Sequence, residues 1–434
     1  VEAPEARRKP VDRYCSTCSG GSPVVAADER PRLAVRLTPD GLRQVRGGHP
    51  WVFEGSIRSV GAEGRSGDLA VVFDDKRRFA AIGLWDPGSP IRIKILHQGS
   101  PRPIDTGFWR ERITSALDLR QVFTAASDAP QLGYRVVSGE NDGLPGLVAD
   151  RYAGVLVVKV YSAAWLPHLD VVVDQLAAAT GVTAVVLRGS RLVQDDPMWA
   201  DAGCRDGDVV RGRLEDDTIR FRENGLWFDA DVRHGQKTGH FLDQRANRAA
   251  VRDRAHGKDV LDVFCSTGGF TVHAAAGGAA SVTSVDLSQP TSRMVEHNLF
   301  LYDDRPALRS CRHEAVAGDA FQVLGRLADE GRTFDLVVVD PPSFARRQAD
   351  VPGAERAYRR LTRSALRVIR EGGTLVQASC SSRVPADRFF DLVASEADAA
   401  GRPLRLRTRT GHDIDHPVGF PEGAYLKAGF WIAP

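Results

Sequence analysis

Two side chains capable of covalent chemistry follow strongly apolar segments of the chain. Asp340 ends the run 334–340, and Cys380 follows the run 374–379. Both runs have the length and β-branched content of buried strands. Ligands of open α/β sheets bind outside the carboxyl ends of the strands, so we expect both side chains to face one cleft. If the two strands pair, these tips are neighbours about 5 Å apart. Pro341 and Pro342 lack backbone donors and stiffen the loop after Asp340.

A carboxyl group beside a thiol suits methyl transfer to carbon 5 of a pyrimidine. Carbon 5 is a poor nucleophile, but addition of a thiolate to carbon 6 makes it enamine-like. A carboxylic acid bonded to ring N3 stabilises the developing charge, and a base then removes the C5 proton. This interpretation assigns Cys380 as the nucleophile and Asp340 as the N3 partner. Free cysteines are commonly inert and buried, but the flanking serines place Cys380 at a cleft edge. Cys265 is the competing thiol.

The segment 259–270 has the pattern of a strand, a glycine-containing turn and a helix. A second apolar run, 281–285, ends in Asp286 and completes a βαβ unit. Such a unit offers free N–H groups at the helix N-terminus and a carboxylate for ribose hydroxyls. The turn lacks the Gly-x-Gly-x-x-Gly spacing of a dinucleotide site. Asp262 can face a cationic amino-acid group, which favours S-adenosylmethionine over NAD. The alternative is an α/β turn without a ligand.

Two further segments extend the predicted cofactor site. Asp319 follows a third strand and can accept a hydrogen bond from adenine, although a helix N-cap would look the same. The polar run 235–245 is interpreted as a lid over the methionine end, the alternative being a simple loop. The predicted cofactor-binding residues are Lys237, Thr238, Asp243, Gln244, Arg245, Asp262, Phe264, Cys265, Ser266, Thr267, Gly268, Gly269, Asp286, Leu287, Asp319, Ala320, Asp340 and Pro341.

The periodicity of the sequence divides the chain into four parts. Residues 1–31 are polar and predicted to be a disordered tail. The Cys15-x-x-Cys18 pair in this tail has no matching ligands nearby, so we expect no metal site. Residues 32–100 carry the short strands of a small β-barrel, and residues 101–220 form an α+β domain. Residues 221–434 open with a hairpin about Asn224-Gly225 and continue as a doubly wound α/β sheet.

The predicted β-barrel is rich in basic residues for its size. Its strand 91–96 alternates apolar and basic residues, which predicts one cationic face. A solvated charged surface would look the same, but this density favours contact with an RNA backbone. The residues assigned to that contact are Arg43, Arg46, Lys76, Arg77 and Arg78.

The overall composition excludes several classes of protein. The chain has 58 Lys and Arg against 56 Asp and Glu, a net charge of +2, so a nucleic-acid surface must be a local patch. Six scattered cysteines are typical of a reduced intracellular protein. The sequence contains no apolar run of transmembrane length and no secretory signal at its start. We therefore expect a cytoplasmic protein without membrane contact.

A set of motifs together resembles one protein family. They are RQVRGGHPWVF (43–53), SGENDGLPGLVADRY (138–152), GQKTGHFLDQRANR (235–248), VLDVFCSTGGF (260–270), VDPPSF (339–344), ASCSS (378–382) and DIDHPVGFPEGAYLK (413–427). The set is similar to the PUA-domain-containing, class I S-adenosylmethionine-dependent methyltransferases that act on cytosine C5 of large-subunit ribosomal RNA. The resemblance implies a C-terminal Rossmann-like α/β methyltransferase domain, preceded by a PUA β-barrel and an α+β middle domain. It also implies Cys380 as the nucleophile.

Two alternative functions stay open at this point. Many RNA cytosine-C5 enzymes of another family carry a further cysteine after the motif proline; here Ser343 and Phe344 follow, so Cys380 would act alone. A base N-methyltransferase would use Asp-Pro-Pro and an aromatic side chain, and Phe344 is accordingly predicted to contact RNA. A non-catalytic ribosome-assembly factor is the other alternative, which intact Asp340 and Cys380 disfavour. The expected partner is large-subunit ribosomal RNA, free or in an assembling subunit, and a homodimer is an open alternative to a monomer.

Overall fold

The computed structural model describes residues 32–124, 132–302 and 306–434. Within these residues the chain forms three sheets and one separate hairpin. No helix of the described residues is both long and apolar enough to cross a membrane. The predicted tail, with Cys15 and Cys18, lies outside the described residues.

The first domain consists of a six-stranded sheet and one helix. Its elements are β1 (Leu33–Leu37), α1 (Pro39–Arg46), β2 (Trp51–Phe53), β3 (Ile57–Val60), β4 (Leu69–Phe73), β5 (Phe79–Trp85) and β6 (Ile91–Gln98). The strand order is β2-β6-β5-β4-β1-β3, with β1 and β4 parallel and the other neighbours antiparallel. Leu33, Val35 and Leu37 alternate along β1 and point into the core of this domain.

Strand β6 differs from the prediction of a solvated cationic face. Lys94 is buried, and its Nζ donates to Asp86 Oδ2 at 2.8 Å. The Ser162 hydroxyl of the middle domain donates to the same oxygen at 2.6 Å. A buried ammonium is tolerated only with such partners, and the alternating pattern could not reveal them. Lys94 therefore joins the first sheet to the middle domain and is not available to RNA.

The middle sheet contains five strands with helices packed against it. Its elements are α2 (Thr106–Leu119), α3 (Gln121–Thr124), β7 (Gly133–Ser138), β8 (Leu147–Tyr152), β9 (Val155–Val160), α4 (Leu169–Thr180), β10 (Ala184–Gly189), α5 (Arg191–Gln194), α6 (Pro197–Asp201) and β11 (Asp208–Gly212). The order is β11-β10-β9-β8-β7, antiparallel except between β9 and β10. Trp109 of α2 and Trp165 lie in the core of this domain, with ring centroids 5.6 Å apart.

A hairpin connects the middle sheet to the last one. It consists of β12 (Thr218–Glu223) and β13 (Leu226–Asp231). Asn224 and Gly225 have φ of 49° and 78°, the left-handed pair of a type I′ turn, which confirms the predicted hairpin. Phe221 and Phe228 stack on one face, with ring centroids 5.9 Å apart.

The C-terminal sheet contains seven strands. Its elements are α7 (Arg245–Arg252), β14 (Asp259–Val263), α8 (Gly269–Ala276), β15 (Ser281–Asp286), α9 (Gln289–Phe300), α10 (Pro306–Ser310), β16 (Arg312–Ala317), α11 (Ala320–Asp329), β17 (Phe334–Val339), α12 (Val351–Val368), β18 (Ile369–Ser379), α13 (Ala386–Ala399), β19 (Arg405–Thr410) and β20 (Lys427–Ile432). The order is β16-β15-β14-β17-β18-β20-β19, and β20 alone runs antiparallel to the other six strands. This confirms the predicted Rossmann-like α/β fold.

The direction of winding changes at β14. From β14 the chain proceeds outward through β15 to β16, and then returns to β17 on the other side of β14. The crevice outside the carboxyl ends at such a point is where ligands bind. Strands β17 and β18 pair in parallel, with Val339 opposite Gln377. Asp340 and Cys380 therefore emerge from neighbouring strands at the same edge of the sheet.

Candidate active site

The turn after β14 holds a backbone conformation that few side chains adopt. Phe264, Ser266 and Gly268 have positive φ of 67°, 49° and 81°. Left-handed backbone at non-glycine residues stores strain and is concentrated at ligand sites. The N–H groups of Phe264 and Cys265 donate to the Val285 carbonyl at 2.9 and 3.1 Å. Strand β15 thus fixes the shape of the turn.

Gly268 is required by its surroundings as well as by its φ. It caps α8, and a Cβ added there would lie 2.9 Å from Val295 Cγ1 of α9. Asn298 of the same helix donates to the Thr267 carbonyl at 2.9 Å. Helix α9 therefore packs directly against the turn and leaves no room for a side chain.

Two carboxylates stand at the ends of the next strands. Asp286 ends β15, and its Oδ2 accepts the Ser266 N–H at 3.0 Å. Asp319 follows β16 and caps α11, where its Oδ1 accepts the Gln322 N–H at 3.1 Å. The N-cap alternative for Asp319 is therefore correct, yet its side chain also lines the cavity described next.

A cavity of about 300 Å³ opens at the carboxyl edge of the sheet. The turn, the strand tips and the segment before α7 form its walls. The predicted residues that line it are Lys237, Asp243, Gln244, Phe264, Cys265, Ser266, Thr267, Gly269, Asp286, Leu287, Asp319, Ala320, Asp340, Pro341 and Cys380. The structure thus brings most of the predicted cofactor residues and the predicted catalytic pair to one cavity.

Thr238 and Arg245 require a correction, because neither lines the cavity. Thr238 is buried, and its hydroxyl donates to Asp150 Oδ2 of the middle domain at 2.7 Å. Arg245 is also buried, and its guanidinium lies 2.9 Å from Asp413 and 2.8 Å from Asp415. The Thr238 bond joins the segment before α7 to the middle domain, and the Arg245 ion pairs join α7 to the segment between β19 and β20. Gly268, behind the turn, does not line the cavity either.

Asp262 also requires a correction, because it is fully buried beneath the turn. Its Oδ2 accepts the Thr271 hydroxyl of α8 at 2.7 Å, while its Oδ1 has no hydrogen-bond partner in the described residues. Burial raises the pKa of Asp262 to about 7, since the Thr271 bond only partly offsets the loss of water. Its carboxyl group links β14 to α8 and does not reach the cavity wall.

A charged pair forms the wall on the side of α7. Lys237 Nζ lies 2.9 Å from Asp243 Oδ2, and the Tyr425 hydroxyl donates to the same oxygen at 3.0 Å. Burial opposes the ionisation of Asp243, but the Lys237 charge prevails and holds the pKa of Asp243 below its usual range. Oδ1 of Asp243 has no hydrogen-bond partner in the described residues. An ionised carboxylate with one free oxygen on a cavity wall is suited to an ammonium ligand.

Asp340 and Cys380 both line the cavity, at the tips of neighbouring strands. The Cys380 thiol lies 3.7 Å from the Pro341 carbonyl oxygen. Burial, together with the Asp243 carboxylate, raises the pKa of Asp340 to about 7. Burial, together with the Asp340 carboxylate, raises the pKa of Cys380 to about 11. Near neutral pH the pair is a partly protonated carboxyl group and a thiol that needs a nearby positive charge to ionise.

Cys265, the competing thiol, is less suited to attack a substrate. It is only 4% exposed within the turn. Burial and the carboxylates of Asp262 and Asp286 raise the pKa of Cys265 far above its usual range. Since the thiolate is the nucleophile, the half-buried Cys380 is the better candidate.

Several residues that line the cavity were not among the predicted cofactor-binding or catalytic residues. They are Gln236, His240, Phe241, Arg248, Phe270, Gly318, Pro342 and Leu426. Two of them converge on buried Glu223 of the hairpin: Arg248 Nη2 lies 2.5 Å and His240 Nε2 lies 3.8 Å from its Oε2. His240 Nδ1 is also 3.1 Å from the Thr267 hydroxyl of the turn. The polar run 235–245 indicated this region, but no local pattern pairs it with Glu223.

The predicted RNA-contact residues gather partly about Asp74. Arg46 and Arg78 lie 2.9 and 2.8 Å from its Oδ2, and their side chains are 52% and 68% exposed. Backbone N–H donation from Arg78, against the effect of burial, holds the pKa of Asp74 at about 2. Arg43 is also exposed, on α1. The first domain thus presents several basic side chains to solvent.

Phe344, which the sequence predicts to contact RNA, lies outside the cavity. Its ring centroid is 5.3 Å from that of Tyr358, and the side chain packs against the core of the C-terminal domain. The ring does not line the cavity. Stacking on a base in the cavity would require the loop after Pro342 to rearrange.

Comparison with known proteins identifies relatives along nearly the whole chain. Residues 138–421 match the family model of S-adenosylmethionine-dependent methyltransferases, and residues 35–98 match a PUA-like domain. The chain is 46% identical over 408 residues to the ribosomal RNA large subunit methyltransferase of Deinococcus radiodurans, covering 93% of this chain and 98% of that protein. It is 34% identical over 403 residues to ribosomal RNA large subunit methyltransferase I of Shewanella amazonensis, covering 91% and 98%.

The fold also matches a solved structure. A protein from Streptococcus mutans superposes with a TM-score of 0.77 at 17% identity, covering 92% of this chain and 99% of that one. At this level of identity the likeness concerns the fold alone.

Proposed function

The chain belongs to the S-adenosylmethionine-dependent methyltransferases that carry an N-terminal PUA-like domain, and we propose that it methylates carbon 5 of a cytosine in large-subunit ribosomal RNA. The RNA is the substrate named for the relatives from Deinococcus radiodurans and Shewanella amazonensis. The choice of carbon 5 rests on the side chains at the strand tips.

S-adenosylmethionine is the cofactor of this family, and the cavity residues fit it. The free Oδ1 of ionised Asp243 suits the ammonium group of the methionine part. Asp286, at the end of β15, suits the ribose hydroxyls, and Asp319 suits the adenine amino group. When bound, this cofactor supplies an electrophilic methyl group on its sulfonium.

One observation carries the C5 proposal: a thiol and a carboxyl group share the cofactor cavity. Cys380 and Asp340 both line it, on neighbouring strands. A carboxyl group with a pKa of about 7 is partly protonated at neutral pH and can donate a hydrogen bond to the acceptor N3 of cytosine. Methylation of a base amine would use the carboxyl group of the Asp-Pro-Pro motif but would not need the thiol, so Cys380 is the group that favours carbon 5.

The proposed chemistry divides one difficult step into easier ones. The Cys380 thiolate forms a covalent bond to C6 of the cytosine. Asp340, hydrogen-bonded to N3, stabilises the negative charge that spreads over the ring. Carbon 5 then takes the methyl group and afterwards loses its proton to a base. The S–C6 bond breaks as the ring regains its aromatic character, and the thiolate returns.

The first domain is proposed to contact the RNA backbone. Its exposed basic residues include Arg43, Arg46 and Arg78, which pair with Asp40 and Asp74, together with Lys76 and Arg77 beside them. A local patch is what a chain of net charge +2 needs in order to bind a polyanion.

The packing of Phe344 disfavours the N-methyltransferase alternative. That reaction relies on an aromatic ring stacked on the target base, and this ring lies against Tyr358 instead. A purely structural role in ribosome assembly would not need the paired thiol and carboxyl group at the cavity.

Product analysis tests the proposal. The protein is incubated with methyl-labelled S-adenosylmethionine and unmodified large-subunit RNA, and the nucleosides are identified by mass spectrometry. We expect 5-methylcytidine from the wild type and none from Cys380→Ala. Cys311→Ala, which removes a thiol outside the cavity, serves as the matched control and should keep full activity. An N-methylated product with Cys380→Ala still active would contradict the proposal.

A further inference from the structure

A second buried lysine, Lys427, lies beside the proposed nucleophile. It begins β20, is only 3% exposed, and pairs directly with Ser379 at the end of β18. Its Nζ donates to two backbone carbonyls, those of Ser381 and, at 3.1 Å, Tyr425. Unlike Lys94, which contacts Asp86, Lys427 forms no ion pair with a carboxylate among the described residues.

A buried ammonium without a carboxylate is unfavourable and calls for a functional explanation. Carbonyl dipoles solvate the charge only in part. Burial lowers the pKa of Lys427 to about 8 as a result. Perturbed groups in a cleft are frequent at functional sites, and this one lies on the strand next to Cys380.

The lysine and the thiol act on each other through space. The Lys427 charge lowers the pKa of Cys380, and ionised Cys380 in turn raises the pKa of Lys427, although burial dominates both groups. The Ser381 carbonyl, which follows Cys380 directly, holds Nζ near the thiol. The Lys427 charge therefore offsets part of the effect of burial on the thiolate.

The other charged groups around Cys380 act on the thiol in opposite directions. Asp340 and Asp243 are acidic and oppose ionisation of the thiol. Lys237 favours ionisation of the thiol more strongly than Lys427 does, but its ammonium lies 2.9 Å from Asp243, whose carboxylate opposes that ionisation.

Two neutral partners complete the surroundings of this pair. The Tyr358 hydroxyl bonds to Ser379 and Ser381, at 2.8 and 3.1 Å, and carries no charge at neutral pH. Nearby, His412 Nε2 accepts the N–H of Leu426 at 3.2 Å, and burial lowers the pKa of this histidine to about 4, so it is neutral.

We propose that Lys427 is a positioning residue for the nucleophile, whose ammonium provides the compensating charge for the Cys380 thiolate. The inference rests on the proposed function, since it explains how a buried thiol becomes nucleophilic when the base enters. It adds no proton-transfer step: the charge of Lys427 lowers the free energy of the thiolate before it bonds to C6 and after it leaves.

The pH dependence of thiol alkylation tests this role without RNA or cofactor. The full-length protein is treated with iodoacetamide between pH 7 and 10, and the rate at Cys380 is read from its peptide by mass spectrometry. In Lys427→Met the apparent thiol pKa should rise by at least about one unit, which slows alkylation at pH 8 about tenfold. Lys427→Arg, which keeps the charge, should stay within about threefold of the wild type.

Cys265 provides an internal control for folding. It is 4% exposed and should resist alkylation in every folded variant. Lys427→Gln is made in parallel, because the test needs only one variant that lacks the charge and still folds. Identical Cys380 profiles in the wild type and a folded neutral variant would overturn the inference. If loss of the Lys427 charge slows alkylation of Cys380 but the wild-type protein forms no 5-methylcytidine, the inference about Lys427 and Cys380 stands and the proposed function is refuted.

Discussion

Replacing Gly268 by alanine tests how the turn after β14 is built. The substitution introduces two separate penalties. The first is conformational, because φ of 81° is a left-handed value that disfavours a Cβ, at about 1 kcal/mol. The second is steric, because the new Cβ would lie 2.9 Å from Val295 Cγ1 of the packed helix α9, and overpacking of this kind adds about 1–3 kcal/mol.

The two penalties can be separated with a matched variant. Gly257 also has a positive φ, 68°, but a Cβ there meets nothing within 4 Å. Gly257→Ala should therefore lower the free energy of unfolding by about 1 kcal/mol, and Gly268→Ala by about 2–4 kcal/mol. Urea denaturation of both variants and the wild type provides these values.

Binding of S-adenosylmethionine should respond in the same order. Relief of the clash must move the turn, and Ser266 of that turn is held to Asp286. We expect the Kd of Gly268→Ala to rise about tenfold or more, a loss of about 1.4 kcal/mol, and that of Gly257→Ala to stay unchanged in calorimetry. Equal stabilities and equal Kd values for the two variants would refute the argument that α9 and the turn shape the cofactor site.

Two other predictions concern charge. Because burial raises the pKa of Asp340 to about 7, its donor form is lost as pH rises above 7. The ratio of wild-type to Asp340→Asn methylation rates should therefore fall up to about tenfold per pH unit between pH 7 and 9, and a constant ratio would contradict the donor role. Asp142→Asn leaves Arg120, a fully buried partner at 2.7 Å, without its counter-charge and should cost about 3–5 kcal/mol in urea denaturation. Glu355→Gln, which breaks the exposed pair with Arg388, should cost less than about 1 kcal/mol, and similar losses for both would contradict the burial argument.

The strand tips were predictable because local patterns determine them. A β-branched apolar run ending in a polar residue identifies a parallel strand and its tip, and the fold collects the tips at one edge. Asp286, Asp340 and Cys380 were placed in this way. The predicted hairpin was equally local, since Asn224-Gly225 specifies its own turn.

The side chains of these segments that point away from the cavity could not be predicted. Thr238 and Arg245 lie in the polar run that forms the cavity wall, but their side chains turn towards Asp150 and Asp415, which are distant in sequence. Residue type alone does not tell which way a polar side chain points when both directions offer a partner.

Lys94 and Lys427 illustrate the same limit in two strands. Lys94 lay in a predicted strand and Lys427 ended a family motif, and only the fold shows that the first contacts Asp86 while the second contacts carbonyl groups alone.

A covalent trap tests the central claim most directly. RNA made with 5-fluorocytidine carries no C5 proton to remove, so the bond between Cys380 and C6 should persist after methyl transfer. The account predicts a denaturant-resistant protein–RNA complex with S-adenosylmethionine present, and a nucleotide on the Cys380 peptide after nuclease and protease digestion. An adduct on Cys265, or 5-methylcytidine formation on ordinary RNA without any adduct on the fluorinated one, would contradict it.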